Sequence, residues 1–233
     1  MNSKRKFFYI FCFIVFAIFL LIAFLVVRDA TSYDRLANEI LVLKTLDIRK
    51  DRYNTKIKSS GDYALVEKVI KEYMDDCAVD IQKISSMVND KKLKSILSYD
   101  NYMSDGPDFK DSLKYLNSQS DEFNKLVDEL SKKLEDDYIK KFISKKIDDD
   151  YYISLCEELI FDDDFVKSRN SIKSLLIEEK DNMNNIYDVS LNVLSYLSLC
   201  QDDWKLEDGE IKFKTQEKYS YYTSLVDKLK KTE

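Results

Sequence analysis

Five runs of adjacent aspartates are the residues with the most obvious capacity for chemistry: Asp75-Asp76, Asp136-Asp137, Asp148 to Asp150, Asp162 to Asp164 and Asp202-Asp203. Two carboxyl groups facing each other about 5–10 Å apart across a cleft, one with a raised pKa, hydrolyse glycosides. Adjacent acids on a helix point in different directions, however. The expectation here is solvated helix ends, where the macrodipole favours negative charge at N-termini.

Other chemistries meet firmer obstacles. The sequence has no histidine, which removes most metal sites, Ser-His-Asp triads and the usual base for a catalytic cysteine. Each of the three glycines stands alone, so no phosphate-binding loop is formed. Aligning Gly106 with the sixth position of an EF-hand loop places Asn101, Met103, Asp105 and Ser112 at ligand positions. A Met side chain offers no oxygen, and the bidentate Glu is missing. Asp105-Gly106-Pro107-Asp108 is better read as a turn with Asp108 as helix N-cap. No catalytic residue, metal or cofactor is expected.

Cys12 lies in an apolar run, leaving Cys77, Cys156 and Cys200. Each sits in an apolar helical pattern, and an odd number is not a disulfide framework, so buried thiols are expected. The 16 tyrosines include the pairs Tyr151-Tyr152 and Tyr221-Tyr222, which straddle helix faces and should expose one member each. Such rings suit protein or glycan contacts, but packing at helix boundaries with the hydroxyl in water is the preferred expectation.

Residues 7–27, from Phe7 to Val27, carry no charge. Twenty-one helical residues span roughly 30 Å, the thickness of a bilayer hydrocarbon core. A cleaved signal has a shorter apolar region ending in small residues, whereas here the run meets Arg28-Asp29-Ala30. Phe11 before Cys12 does not suit lipidation. The run is therefore predicted to be an uncleaved transmembrane helix. Lys4, Arg5 and Lys6 precede it, while Arg28 and Arg35 follow among Asp29 and Asp34, so residues 1–6 are placed in the cytoplasm and residues 28–233 outside it.

The part beyond the anchor is acidic. Removing the four bases of residues 1–28 from the 37, and none of the 43 acids, gives it a net charge of −10. Interspersed charges of that sign repel phosphate backbones, so nucleic acid is not an expected partner. With three glycines and one proline the chain lacks the turns of a sandwich or doubly wound sheet.

Periodicity predicts helices instead. Tyr33, Leu36, Ile40 and Leu43 continue a helix from the span towards Asn54, and residues 56–61 form a loop. Tyr63 to Val88 form a second helix, followed by a short piece capped by Asn89 and Asp90. Phe109, Leu113, Leu116, Ser120, Phe123, Val127, Leu130 and Leu134 make a heptad seam that calls for a packed partner helix. Further helical faces run through Phe142 to Ile147, Tyr152 to Ile160 and Phe165 to Cys200, the last with Arg169, Glu179 and Ser190 on its seam. Residues 204–213 alternate about Asp208-Gly209, predicting a β-hairpin whose four large apolar side chains need not share a face. A final helix is expected at about 215–231.

The predicted fold is thus mainly α: an N-terminal transmembrane helix, then an elongated antiparallel helical bundle with a small β-hairpin near the C-terminus. The predicted function is a non-enzymatic, single-pass envelope module that binds a protein. A ligand-binding sensor accessory and a carboxylate-dependent hydrolase are the alternatives. Coiled-coil seams can also be satisfied between copies, so a homo-oligomer is allowed.

Overall fold

A computed structural model describes the backbone of residues 3–45 and 54–229, and the side chains of residues 16–44 and 54–229. Within these residues the chain is mainly α-helical with one β-hairpin. It divides into two compact units, one of Met1–Asp76 with Ile139–Val166 and one of Cys77–Tyr138 with Lys167–Glu233.

In the first unit, α1 (Ser3–Thr45) is one unbroken helix that is long and apolar enough to cross a membrane. Residues 16–31 are exposed, unlike the core helix of a soluble protein. The side chains of residues 7–15 and the expected helix end near Asn54 lie outside, or at the edge of, the described residues. Beyond the span the burial rhythm changes, and Ser32, Leu36, Glu39, Ile40 and Leu43 face inward.

Helix α2 (Asp62–Val88) starts after Gly61, whose φ of 61° suits a residue without a Cβ. It runs parallel to α1, since Asp29 meets Tyr63 and Glu39 meets Lys71. Helices α6 (Asp136–Ser144) and α7 (Asp150–Ile160) run the other way along α2: Lys146 pairs with Glu72 at 2.7 Å, and Tyr152 packs on Tyr63.

The second unit contains the end of α2, the short α3 (Lys91–Lys94) and α4 (Tyr99–Asp105), α5 (Lys110–Lys133) and, from Lys167 on, α8 (Asp163–Leu199). The expected seam is buried at Phe109, Leu116, Phe123, Val127, Leu130 and Leu134. Its partners are two antiparallel helices. Along α5, Asn124 bonds Asn184, Asp128 pairs with Lys180 at 2.6 Å and Glu135 with Lys173 at 3.3 Å, so the numbers rise on one helix as they fall on the other. The same holds for α2, where Lys133 meets Asp80 at 2.7 Å and Tyr115 reaches Asp90.

The hairpin of β1 (Trp204–Glu207) and β2 (Glu210–Phe213) turns at Asp208 and Gly209, both with positive φ as a type I′ turn requires. Trp204 lies opposite Phe213 and Leu206 opposite Ile211. All four therefore share one face, against the expectation of imperfect pairing, because a two-residue turn sets the register so that both apolar pairs match. Helix α9 (Gln216–Val226) follows, capped by Thr215; the expected extension to residue 231 lies partly outside the described residues.

One cap differs from expectation. Asp108 does not cap α5. The N-cap position is Phe109, at φ 54°, and its side chain makes no cap bond. Asp105 does the work from the preceding helix, accepting the amides of Asp111 at 3.3 Å and Ser112 at 2.7 Å. The buried, left-handed Phe109 points Asp108 outward. Asp105→Ala is expected to cost about 1 kcal/mol and Asp108→Ala only a few tenths, measured by thermal melting.

Candidate functional site

In four of the five carboxylate runs one aspartate has a local partner. Asp149 caps α7 by accepting the amides of Tyr151 and Tyr152. Asp162 accepts the Asp164 amide at the start of α8 and pairs with Lys44 at 2.8 Å. Asp136 pairs with Arg169 at 3.1 Å, and Asp203 with Lys218. Asp75 lines a recess of about 280 Å³ with Lys68, Lys71 and Glu72, where acids alternate with bases. These arrangements cap helices and balance charge.

Asn101, Asp105 and Ser112 do come together. Asn101 Nδ2 donates to Ser112 Oγ at 3.1 Å, and the Ser112 amide donates to Asp105. Burial raises the Asp105 pKa, but the hydrogen bonds from Ser112 outweigh it and hold the carboxyl below the usual range. The triangle joins α4 to α5, and Met103 points into solvent. Among the described residues no cluster fit for a metal ion is found.

Cys77 and Cys156 are buried and lie outside any disulfide. Burial, with help from Glu157, pushes Cys156 up to about 12, so it stays protonated and inert. Cys200 is only half-buried, because it lies just past the end of α8, and its thiol donates to the Tyr196 carbonyl.

One polar constellation has no counterpart in the sequence reading. In the first unit, Lys71 Nζ contacts Glu39 and Glu67, each at 2.8 Å, and donates to the Lys56 carbonyl. Glu67 accepts from the amide and hydroxyl of Ser59 and from the Lys58 amide, while the Lys58 side chain reaches Glu39. Burial raises both glutamate pKa values, yet the hydrogen bonds from Lys58 and Lys71 at Glu39, and from Lys71 and Ser59 at Glu67, win and lower them. Ser32 Oγ adds a bond to the Ser60 carbonyl at 2.7 Å. The segment 56–60 is thereby tied to both α1 and α2.

Among the described residues of the second unit lies an apolar groove of about 410 Å³. Val88, Leu93, Ile96, Leu97, Met183 and Ile186 form its walls. Lys94 and Glu179 place opposite charges on the lining, and Leu229 contributes from the C-terminal segment. The volume lies in the range of small-molecule and side-chain pockets. These apolar residues were legible as helix seams, but the gap arises where α2 gives way to the short α3 and leaves α8 partly uncovered.

Tyrosines gather at two places. In the first unit Tyr33, Tyr63, Tyr152 and Tyr151 form an edge-to-face chain with ring centroids 5.8, 5.5 and 5.0 Å apart. In the second, Phe213 contacts Tyr196, Tyr219 and Tyr222, and the hydroxyls of Tyr102 and Tyr222 lie 3.2 Å apart. Tyr151 and Tyr221 are the exposed members of their pairs. Comparisons with protein-family models, with curated proteins and with solved structures find no match to this chain.

Proposed function

We propose that this chain is a single-pass, membrane-anchored, non-enzymatic binding module of the cell envelope. In this reading residues 7–27 cross the bilayer, residues 1–6 stay in the cytoplasm and the helical part lies outside, as the lysines and arginine before the span favour. The exposed, uncharged face of α1 supports the anchor. The 410 Å³ groove carries the binding claim: it is open, apolar and flanked by Lys94 and Glu179, a shape suited to apolar anchors on a partner's helix or extended segment.

A photo-crosslinking amino acid at Leu97 or Ile186 tests this in intact cells. The expected result is one reproducible protein adduct that external protease digests and that Asn182→Trp, which fills the groove, abolishes. A chain that stays uncrosslinked at both positions would sink the reading; an adduct resistant to external protease would reverse the orientation. The groove's volume also favours a second reading, a sensor accessory that takes a small apolar ligand. That reading predicts saturable uptake of an apolar fluorophore by purified protein, blocked by Asn182→Trp, without a protein adduct.

A further inference from the structure

We propose that the tyrosine-rich end of the first unit, formed by residues 29–33 of α1 and the N-termini of α2 and α7, lies in the headgroup layer of the bilayer and packs against ammonium-bearing lipid headgroups. The inference rests on α1 being the membrane span.

Depth follows from helix geometry. The uncharged run ends at Val27 and α1 continues without a break to Thr45. Asp29 and Tyr33 therefore stand about 3 and 9 Å beyond the end of the run along the helix axis. A headgroup layer is about 5–8 Å thick on each side of the hydrocarbon core. Both residues thus fall within it or at its outer edge, and tilting the helix only draws them closer.

Contacts carry that depth to the other helices. The Tyr63 hydroxyl donates to Asp29 at 3.3 Å, and its ring packs 5.8 Å from Tyr33. Tyr63 is the second residue of α2. Tyr152 lies 5.5 Å from Tyr63, and Tyr151 lies 5.0 Å from Tyr152, both in the first turn of α7. The start of α2 and the start of α7 are consequently held level with Asp29 and Tyr33.

The side chains at this level fit an interface. Tyrosine, with an apolar ring and a polar tip, concentrates where hydrocarbon meets water. Tyr33 is 43% and Tyr151 60% exposed, leaving side-chain surface that no other described residue covers. Charge then selects the headgroup. Asp29, Asp34, Asp62, Asp148, Asp149 and Asp150 are all exposed at or near this end, against Arg28 and Arg35. Anionic headgroups are repelled by such an excess. Ammonium groups are attracted by the carboxylates and by the tyrosine ring faces.

Tyr151→Trp and Tyr33→Trp in the full chain, reconstituted into vesicles, test the assignment, with the parent's Trp204 emission as baseline. With nitroxide-headgroup lipid present, each variant's added emission should fall by about half in phosphatidylethanolamine vesicles and by clearly less in phosphatidylglycerol. Phe19→Trp, quenched by lipids brominated in mid-chain, reports the span separately. If Phe19→Trp is quenched while both tyrosine variants match the parent, the span stands and the proposed face is overturned. Stronger quenching in phosphatidylglycerol overturns the headgroup class. If Phe19→Trp escapes quenching, the span itself fails and the proposal falls with it.

Discussion

Lys71→Met is expected to destabilise the first unit by about 3–5 kcal/mol, far more than the loss of an ordinary helical lysine. The Lys71 side chain is 3% exposed, and Glu39 and Glu67 are 3% and 0% exposed. Bringing four charges together in such a place costs desolvation, which the Lys71 and Lys58 contacts offset. Without the ammonium, two carboxylates remain buried beside one another with only Lys58 and the Ser59 and Lys58 donors to satisfy them. The matching control is Lys68→Met. Lys68 lies on the exposed side of the same helix, 3.8 Å from Glu72, and its loss should cost under about 0.5 kcal/mol. Denaturant unfolding of both variants, followed by circular dichroism, measures the contrast. Equal midpoints would mean that the network is solvated and contributes little.

The same network fixes a pH dependence. Glu39 and Glu67 have folded pKa values below their ordinary 4.5. Groups depressed on folding stabilise the fold fully above the unfolded pKa, and that stabilisation drains away as pH falls through the folded value. The loss should therefore begin near pH 4.5 and deepen below it. In Lys71→Met the slope should flatten or change sign between pH 4 and about 6, because a buried carboxylate deprived of its cation binds its proton more tightly.

Sequence revealed the helices well because burial and periodicity coincide there. The seam from Phe109 to Leu134 repeats every three or four residues, and that spacing alone demands a packed neighbour. The hairpin was legible from Asp208-Gly209, whose positive φ values few other dipeptides adopt as readily. The charge network was hidden for a physical reason. Glu67 and Lys71, four apart on α2, look like a surface ion pair, and only the buried company of Tyr63, Ile70 and Met74 at matching spacing hints otherwise. Its third member, Glu39, comes from another helix. The groove was hidden similarly: periodicity marks which face of a helix is apolar, but not whether a neighbour covers it. Tyr187, 1% exposed, fills a place beside Phe123 that only tertiary packing defines.

Phe109 offers the second large effect, and it separates ring from backbone. The ring is fully buried, 5.7 Å from Tyr102 and stacked 6.0 Å from Trp204. Phe109→Ala should cost about 3–5 kcal/mol through lost burial and the cavity left behind. Within a helix Gly would be worse still, by about 1 kcal/mol. Here the order should invert. Phe109 sits at φ 54° and ψ 32°, a conformation that costs an L-residue about 1–2 kcal/mol and glycine almost nothing. It also occupies the N-cap position of α5, where glycine is far better tolerated than alanine. Phe109→Gly should therefore unfold at a higher denaturant concentration than Phe109→Ala, although it removes one more carbon. Trp204 emission provides a local readout, since both variants strip away its stacking partner. Finding the alanine variant the more stable of the two would mean that Phe109 does not hold its left-handed conformation in solution, and that Asp105 caps α5 by a different route.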